Sequence, residues 1–483
     1  MGLAGIVLGL ALLIGMAYRG WSVLGLAPVA ALVAAAASGE PLLAHWTLTF
    51  MLATGSFIAQ FFPLFLLGAL FGKLMDDTGS VGAIAQFMTT RLGSGRAMLA
   101  VVLAGALVTY GGVSLFVAIF VLVPMGQALF REAGIPNRLL PAAVTLGTST
   151  FTMSALPGTP AIQNAIPMPH FGTTPFAAPG LGLIASAIML GFGLWWLRRR
   201  EVAASRAGET FGTTTMTASA AANNPVVRER ATTAREFDSA EIRQGKLSEE
   251  SPHPVLAFLP LVVVIVVNLT MSLVLLPQMD TSFLAEERWG GLTLSDVGGV
   301  WSVIVALASA IIVVVVLNRK RLRALRDTAD AGMNASVLPV MSVASLVGFG
   351  SVVATLPAFA TVRDWVLGIE GGPLVGLAVA TNVLAALTGS ASGGLTIALG
   401  ALGDTYMQIA STYGIDPGLM HRVAVIGAGT LDSLPHNGAV VTLLAVCGAT
   451  HRTSYFDMVM AGIVGPVIAL VAVIVLGSLF GSF

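Results

Sequence analysis

Charge is what this sequence has least of. Only 10% of its 483 residues are charged, against about 25% in a soluble globular domain. Folded in water, a chain of this length needs a large polar surface, and this composition does not supply one. The 24 basic and 24 acidic side chains cancel, which leaves no basic field for a nucleic acid. A single cysteine, Cys447, excludes an internal disulfide framework and any cysteine-built zinc or iron–sulfur site. What is present instead is apolar: 56% hydrophobic residues and 55 glycines, and glycine is commoner in membrane helices than in soluble ones. The composition implies an all-α polytopic membrane protein.

A membrane-spanning helix needs roughly 20 mainly apolar residues. Such runs lie near 2–18, 20–38, 47–72, 138–167, 177–197, 254–276, 294–317, 335–360, 418–450 and 455–482, which gives about ten spans. No positive charge precedes the first run, and Arg19 follows it, the reverse of a signal peptide. Two further stretches, 97–130 and 374–410, are too long for one helix and carry a Gly/Ser-rich break. If each enters and leaves on one side as a re-entrant hairpin, 21 of the 24 basic residues fall on the inner face, and only Arg288, Arg363 and Arg422 fall outside. Cationic loops stay inside, so this charge pattern favours two re-entrant hairpins, with a crossing pair of short helices in each stretch as the alternative, and it predicts an inner (cytoplasmic) membrane location and both termini outside.

The only long polar segment is 198–253, with 9 basic and 8 acidic residues around an Ala/Thr-rich tract. Its composition is that of a mobile cytoplasmic linker. It divides the chain into 1–197 and 254–483, and the two parts resemble each other. GIPNRLLPAAVTLGTSTFTMSALPGTP at 134–160 and GIDPGLMHRVAVIGAGTLDSLPHNG at 414–438 align Gly134 with Gly414, Gly147 with Gly427, Thr150 with Thr430 and Pro157 with Pro435. Upstream, Gly111 and Gly112 match Gly393 and Gly394, and Pro63 matches Pro357. Five crossings per half would set the second half upside down. Inverted repeats with broken helices are the pattern of secondary transporters, whose sites lie near the midplane.

The segments GSASGGLTIALGAL at 389–402 and TLDSLPHNGAVVTLLAVCG at 430–448 resemble the gluconate permease (GntP) family, and the likeness extends over most of both halves. The resemblance implies proton-linked uptake of small hydroxy-carboxylates: gluconate, other sugar acids, glycerate or D-serine. The LDSLPHNG form looks closer to members linked with 3-hydroxybutyrate. From related transporters it also implies a homodimer with an elevator-like arrangement. No cofactor is expected beyond the co-transported proton, with sodium as the alternative coupling ion.

Four polar clusters interrupt apolar helix where such a substrate would bind. Gly111, Gly112 and Ser114 mark the first hairpin bend; Ser390, Ser392, Gly393 and Gly394 mark the second. Ser149, Thr150, Thr152, Ser154 and Thr159 lie along the first broken helix, and Thr430, Ser433 and Asn437 along the second. Glycine permits a positive-φ turn, proline breaks the helical ladder, and the freed helix ends aim N–H groups at an anion. Hydroxyl and amide groups add hydrogen bonds. The competing explanation is that small residues merely let helices pack closely.

Asp432 is the sharpest residue, because an ionisable group inside an apolar span is costly and marks function by default. With His436, four residues on, it is the expected carrier of the coupled proton; the bland alternative is a pair that only braces the break. Asp404 is expected at the end of the second hairpin. His421 and Arg422 are expected at the outer entrance, as solvated anchors or as an attraction for anions. A channel would need pore rings or filters, and an aspartyl hydrolase a close carboxylate pair. Asp404 lacks the first glycine of a GxGD motif, and Ser433 has no nucleophile turn. No enzyme is expected.

Overall fold

The computed structural model describes residues 2–18, 21–113, 115–212, 248, 251–369, 371–435 and 437–483, and their regular structure is all helix, with no strand among them. The chain opens with α1 (Gly2–Tyr18) and α2 (Val23–Ser38), packed on each other. A long helix, α3 (Leu42–Asp77), and a short one, α4 (Ser80–Leu92), follow. Next come a helical hairpin of α5 (Ala97–Tyr110) and α6 (Leu115–Ala133), an interrupted helix beginning with α7 (Leu140–Thr148), and α8 (Pro179–Arg206).

The same order returns after the linker. The helices α9 (Pro254–Gln278) and α10 (Leu294–Leu317) precede a long α11 (Leu325–Thr355) and a short α12 (Phe359–Leu367). A second hairpin joins α13 (Pro373–Thr388) to α14 (Ala391–Tyr413). An interrupted helix, α15 (Pro417–Thr430) and α16 (Gly438–Val446), leads to α17 (His451–Phe480). One alignment of the two halves fails: Pro63 lies inside α3, whereas Pro357 falls just past the end of α11.

Among the described residues, six helices, α3, α8, α9, α10, α11 and α17, are long and apolar enough to cross a membrane. At 14 residues, α5 is about 21 Å long, short of a hydrocarbon core of roughly 30 Å. These helices are mostly apolar, so polarity does little to sort inside from outside. In α2, Ala27, Ala30, Ala31 and Ala34 are buried while Leu24 and Val29 are exposed. In α17, Val471, Val475 and Leu479 form an exposed stripe at helical spacing. Alanines at the contacts and exposed apolar stripes suit helices that pack closely and face lipid.

Two groups of charges near helix ends are paired around buried carboxylates. Asp457, 1% exposed, takes Arg138 Nη1 at 3.2 Å, Arg200 Nε at 2.8 Å and Trp196 Nε1 at 3.0 Å. This clamp joins Arg138, Trp196 and Arg200 around one carboxylate. Lys73 and Asp77 form a buried pair at 2.9 Å, and Thr328 Oγ1 donates to Asp77. The polar segment begins later than expected, since α8 runs to Arg206; residues 213–247 lie outside the described residues. Asp404 does not end the second hairpin. It sits in mid-α14, exposed, because that helix continues to Tyr413, where Gly414 turns at φ +64°.

Candidate functional site

Each hairpin tip lies against the break in the helix that follows it. At the first tip, Gly112 has φ +95°, and Tyr110 Oη donates to Pro157 O at 2.7 Å. At the second, the turn is made by Gly389 at φ +65°, and Asn437 Nδ2 donates to Gly389 O at 2.8 Å. The turn stands at the start of the Gly/Ser-rich stretch 388–394. Gly393 and Gly394 belong to the first turn of α14, where a Cβ on Gly394 would strike the α13 backbone at Leu384 and Ala385. Gly111 is likewise filled from outside, by Leu261.

Proline does not make either break. The helix α7 stops at Thr148, well before Pro157, and α15 stops at Thr430, before Pro435. Hydroxyls take over the carbonyls that lose their helical partners: Thr150 Oγ1 donates to Leu146 O at 2.7 Å, and Thr430 Oγ1 to Gly427 O at 2.7 Å and to Asn382 Oδ1. Side-chain hydroxyls compete for backbone groups in this way and end helices.

That use of hydroxyls decides where several expected site residues point. Thr152 donates to Gly147 O and Thr148 O, and Ser154 to Thr150 O, both back onto their own segment. Thr159 accepts from Ala161 N and, through its carbonyl, from Asn164. Ser390 caps α14 by accepting from Gly393 N at 3.2 Å. These residues hold the breaks in shape. Ser114 and His436 lie outside the described residues.

Between the tips are two adjoining cavities. The larger, 170 Å³, is bounded by Thr109 and Gly112 of the first tip, Ser392 of the second, Leu64 of α3 and Pro339 of α11. Its lining is mainly apolar, with Val113, Met153, Ile162 and Val343. The smaller, 20 Å³, is lined by Ser149, Asp432, Ser433 and Asn437, together with Thr145. Ser433 Oγ donates to the half-buried Asp432 carboxylate at 3.1 Å. Asn437 Oδ1 caps α16 by accepting from Ala439 N at 2.7 Å. Leu115, Met153 and Gln163 line both cavities. A volume of 20 Å³ is about that of one water. Among the described residues, no group of three His, Cys, Asp or Glu stands together as a metal site.

Three residues gain a place that the sequence did not give them. Gln163 is 4% exposed, lines both cavities, and its Oε1 has no hydrogen-bond partner. His421 and Arg422 are not entrance residues; both are 0% exposed, because α15 is enclosed on all sides. Arg422 Nη2 and Nε donate to Ala177 O at 2.6 and 3.2 Å, and Nη1 reaches Ser154 O and Asn164 Oδ1, each at 3.4 Å. His421 Nε2 meets Asn164 Oδ1 at 3.1 Å, and its Nδ1 meets Thr173 Oγ1 at 2.6 Å. Among the described residues, Arg422 forms no ion pair. The only hint in the sequence was a charged pair within an apolar run that also carries an Asp-Pro helix start at Asp416.

Comparison with known proteins finds a family profile, a relative of nearly equal length and solved structures. The GntP family permease profile covers residues 1–174. The uncharacterized transporter YxjC of Bacillus subtilis (strain 168) is 40% identical, over 99% of this chain and 98% of that one. The solved structure of MtrF from Neisseria gonorrhoeae, described with a class of antimetabolite efflux pumps, has the same overall fold. It matches with a TM-score of 0.54 at 15% identity, over 91% of this chain and 85% of that one.

Proposed function

The chain belongs to the GntP permease family, and on that footing we propose that it is a proton-coupled symporter of a small organic carboxylate, working by alternating access in the inner membrane. The observation that carries this is the meeting of both hairpin tips and the Asp432 break around two adjoining cavities. The recurring order of elements supports an inverted pair of repeats, in which irregular backbone survives at depth because it lines a cavity. The homodimer and the elevator motion belong to the same proposal.

The two cavities divide the work. The larger takes the substrate. A cavity of about 150 Å³ holds benzene, so 170 Å³ suits a short acid better than a sugar acid. Its apolar lining leaves few partners for several hydroxyls. Within the proposed class this favours an acid such as 3-hydroxybutyrate over gluconate. Asp432 in the smaller cavity carries the proton: protonated, it is neutral and crosses with the anion; ionised, it is repelled by the substrate's own charge. Ser433 Oγ, already donating to it, stabilises the ionised form after release.

Competition for uptake in proteoliposomes tests the substrate class, with gluconate, 3-hydroxybutyrate, glycerate, D-serine and citrate as competitors. The short hydroxy acids should compete and citrate should not. Competition by gluconate alone would contradict the size argument, and competition by none of the acids would contradict carboxylate transport.

A further inference from the structure

Gln163 has no role in the function so far proposed, and its position is unusual. It is on a short helix, Ile162–Ala165, that its neighbour Asn164 fixes in place. Asn164 Nδ2 donates to Thr159 O at 3.1 Å and Pro175 O at 3.0 Å, while its Oδ1 accepts from Arg422 and lies 3.1 Å from His421 Nε2. All hydrogen-bonding positions of Asn164 are thus engaged, and the backbone beside it is held. Gln163 immediately precedes it in the chain. It lines both cavities while 4% exposed, with Oε1 unpartnered. An amide oxygen buried without a donor costs about 1–3 kcal/mol, a cost that a ligand's donor removes.

We infer that Gln163 is the specificity-determining residue of the substrate cavity, its Oε1 accepting a hydrogen bond from the hydroxyl of a hydroxy acid. This rests on the proposed carboxylate transport. The donor cannot be the substrate carboxylate, which only accepts when ionised. An ammonium would serve the same acceptor, with Asp432 in the adjoining cavity to offset its charge; the hydroxyl is chosen because the proposed substrate class carries one. A site built to bond a hydroxyl rejects the analogue that lacks it far more strongly than an apolar pocket rejects an added one. Gln163 therefore separates a hydroxy acid from its deoxy counterpart. Because it also lines the Asp432 cavity, the hydroxyl is placed at the boundary between substrate and coupling site.

The experiment uses the full chain in proteoliposomes, with labelled 3-hydroxybutyrate, labelled butyrate and labelled gluconate as probes. The wild-type protein should favour 3-hydroxybutyrate over butyrate by at least about tenfold. Gln163→Leu should reduce that ratio toward one, chiefly by raising KM for 3-hydroxybutyrate and leaving butyrate uptake little changed. Gln163→Asn, a shorter amide, should reduce the ratio by a smaller factor; it carries the test if the Leu variant does not fold. An unchanged ratio in the variant that folds overturns the inference, as does an equal loss of uptake for both acids, which is what a merely structural role produces. If the wild type takes up gluconate but neither short acid, an unchanged gluconate KM in Gln163→Leu overturns the inference and leaves carboxylate transport standing, whereas a raised KM with unchanged kcat upholds it. Uptake of none of the three overturns the transport proposal beneath it.

Discussion

At the scale of single residues, the polar side chains divide by what their hydrogen bonds already do. Thr150, Thr152 and Ser154 spend their hydroxyls on carbonyls of their own segment, whereas Ser149, Asp432, Ser433 and Gln163 face a cavity. Asp432→Asn should abolish proton-driven accumulation and keep part of the exchange of labelled for unlabelled substrate; undiminished uphill uptake in that variant would remove Asp432 from the coupling step. Gly394→Ala tests a close approach rather than a binding role. Its new Cβ meets the α13 backbone, and overpacking of this kind costs about 1–3 kcal/mol. Thermal unfolding in detergent should show the loss without a change in substrate KM.

At the scale of elements, two joints hold the broken segments. Asn437 caps α16 and reaches Gly389 of the second tip. Removing it as Asn437→Ala should cost about 1 kcal/mol from the cap alone and free the tip. Faster amide exchange at 389–392 checks this, and unchanged exchange would show that the tip is held by other contacts. The second joint is Arg422, which ties α15 to the segment carrying Asn164 and Ala177. Arg422→Met should destabilise by about 3 kcal/mol, since several acceptors then lose a charged donor. Arg422→Lys should recover only part, because one ammonium cannot serve oxygens that a planar guanidinium reaches together. Equal unfolding temperatures for Lys and wild type would contradict that geometry.

At the scale of the whole molecule, what could be read from the sequence was what depends on local pattern. Apolar run length gave the long helices, glycine gave the tips at Gly112 and Gly389, and an isolated acid gave Asp432. What could not be read depends on partners far apart in the chain. From sequence alone Arg422 is expected at the outer entrance, because its acceptors, Ala177 and Ser154, lie in the other half. Gln163 carried no local signal beyond being one amide near a proline, since its value comes from lining both cavities. Proline was credited with breaks that threonine hydroxyls make.

The central claim is that a proton gradient drives a small carboxylate uphill through this fold. Proteoliposome uptake of labelled 3-hydroxybutyrate, with proton and sodium gradients imposed separately, tests it most directly. The account predicts accumulation above equilibrium under an inward proton gradient alone, collapsed by a protonophore. Accumulation under the sodium gradient alone, or equilibration without accumulation under either, would contradict it.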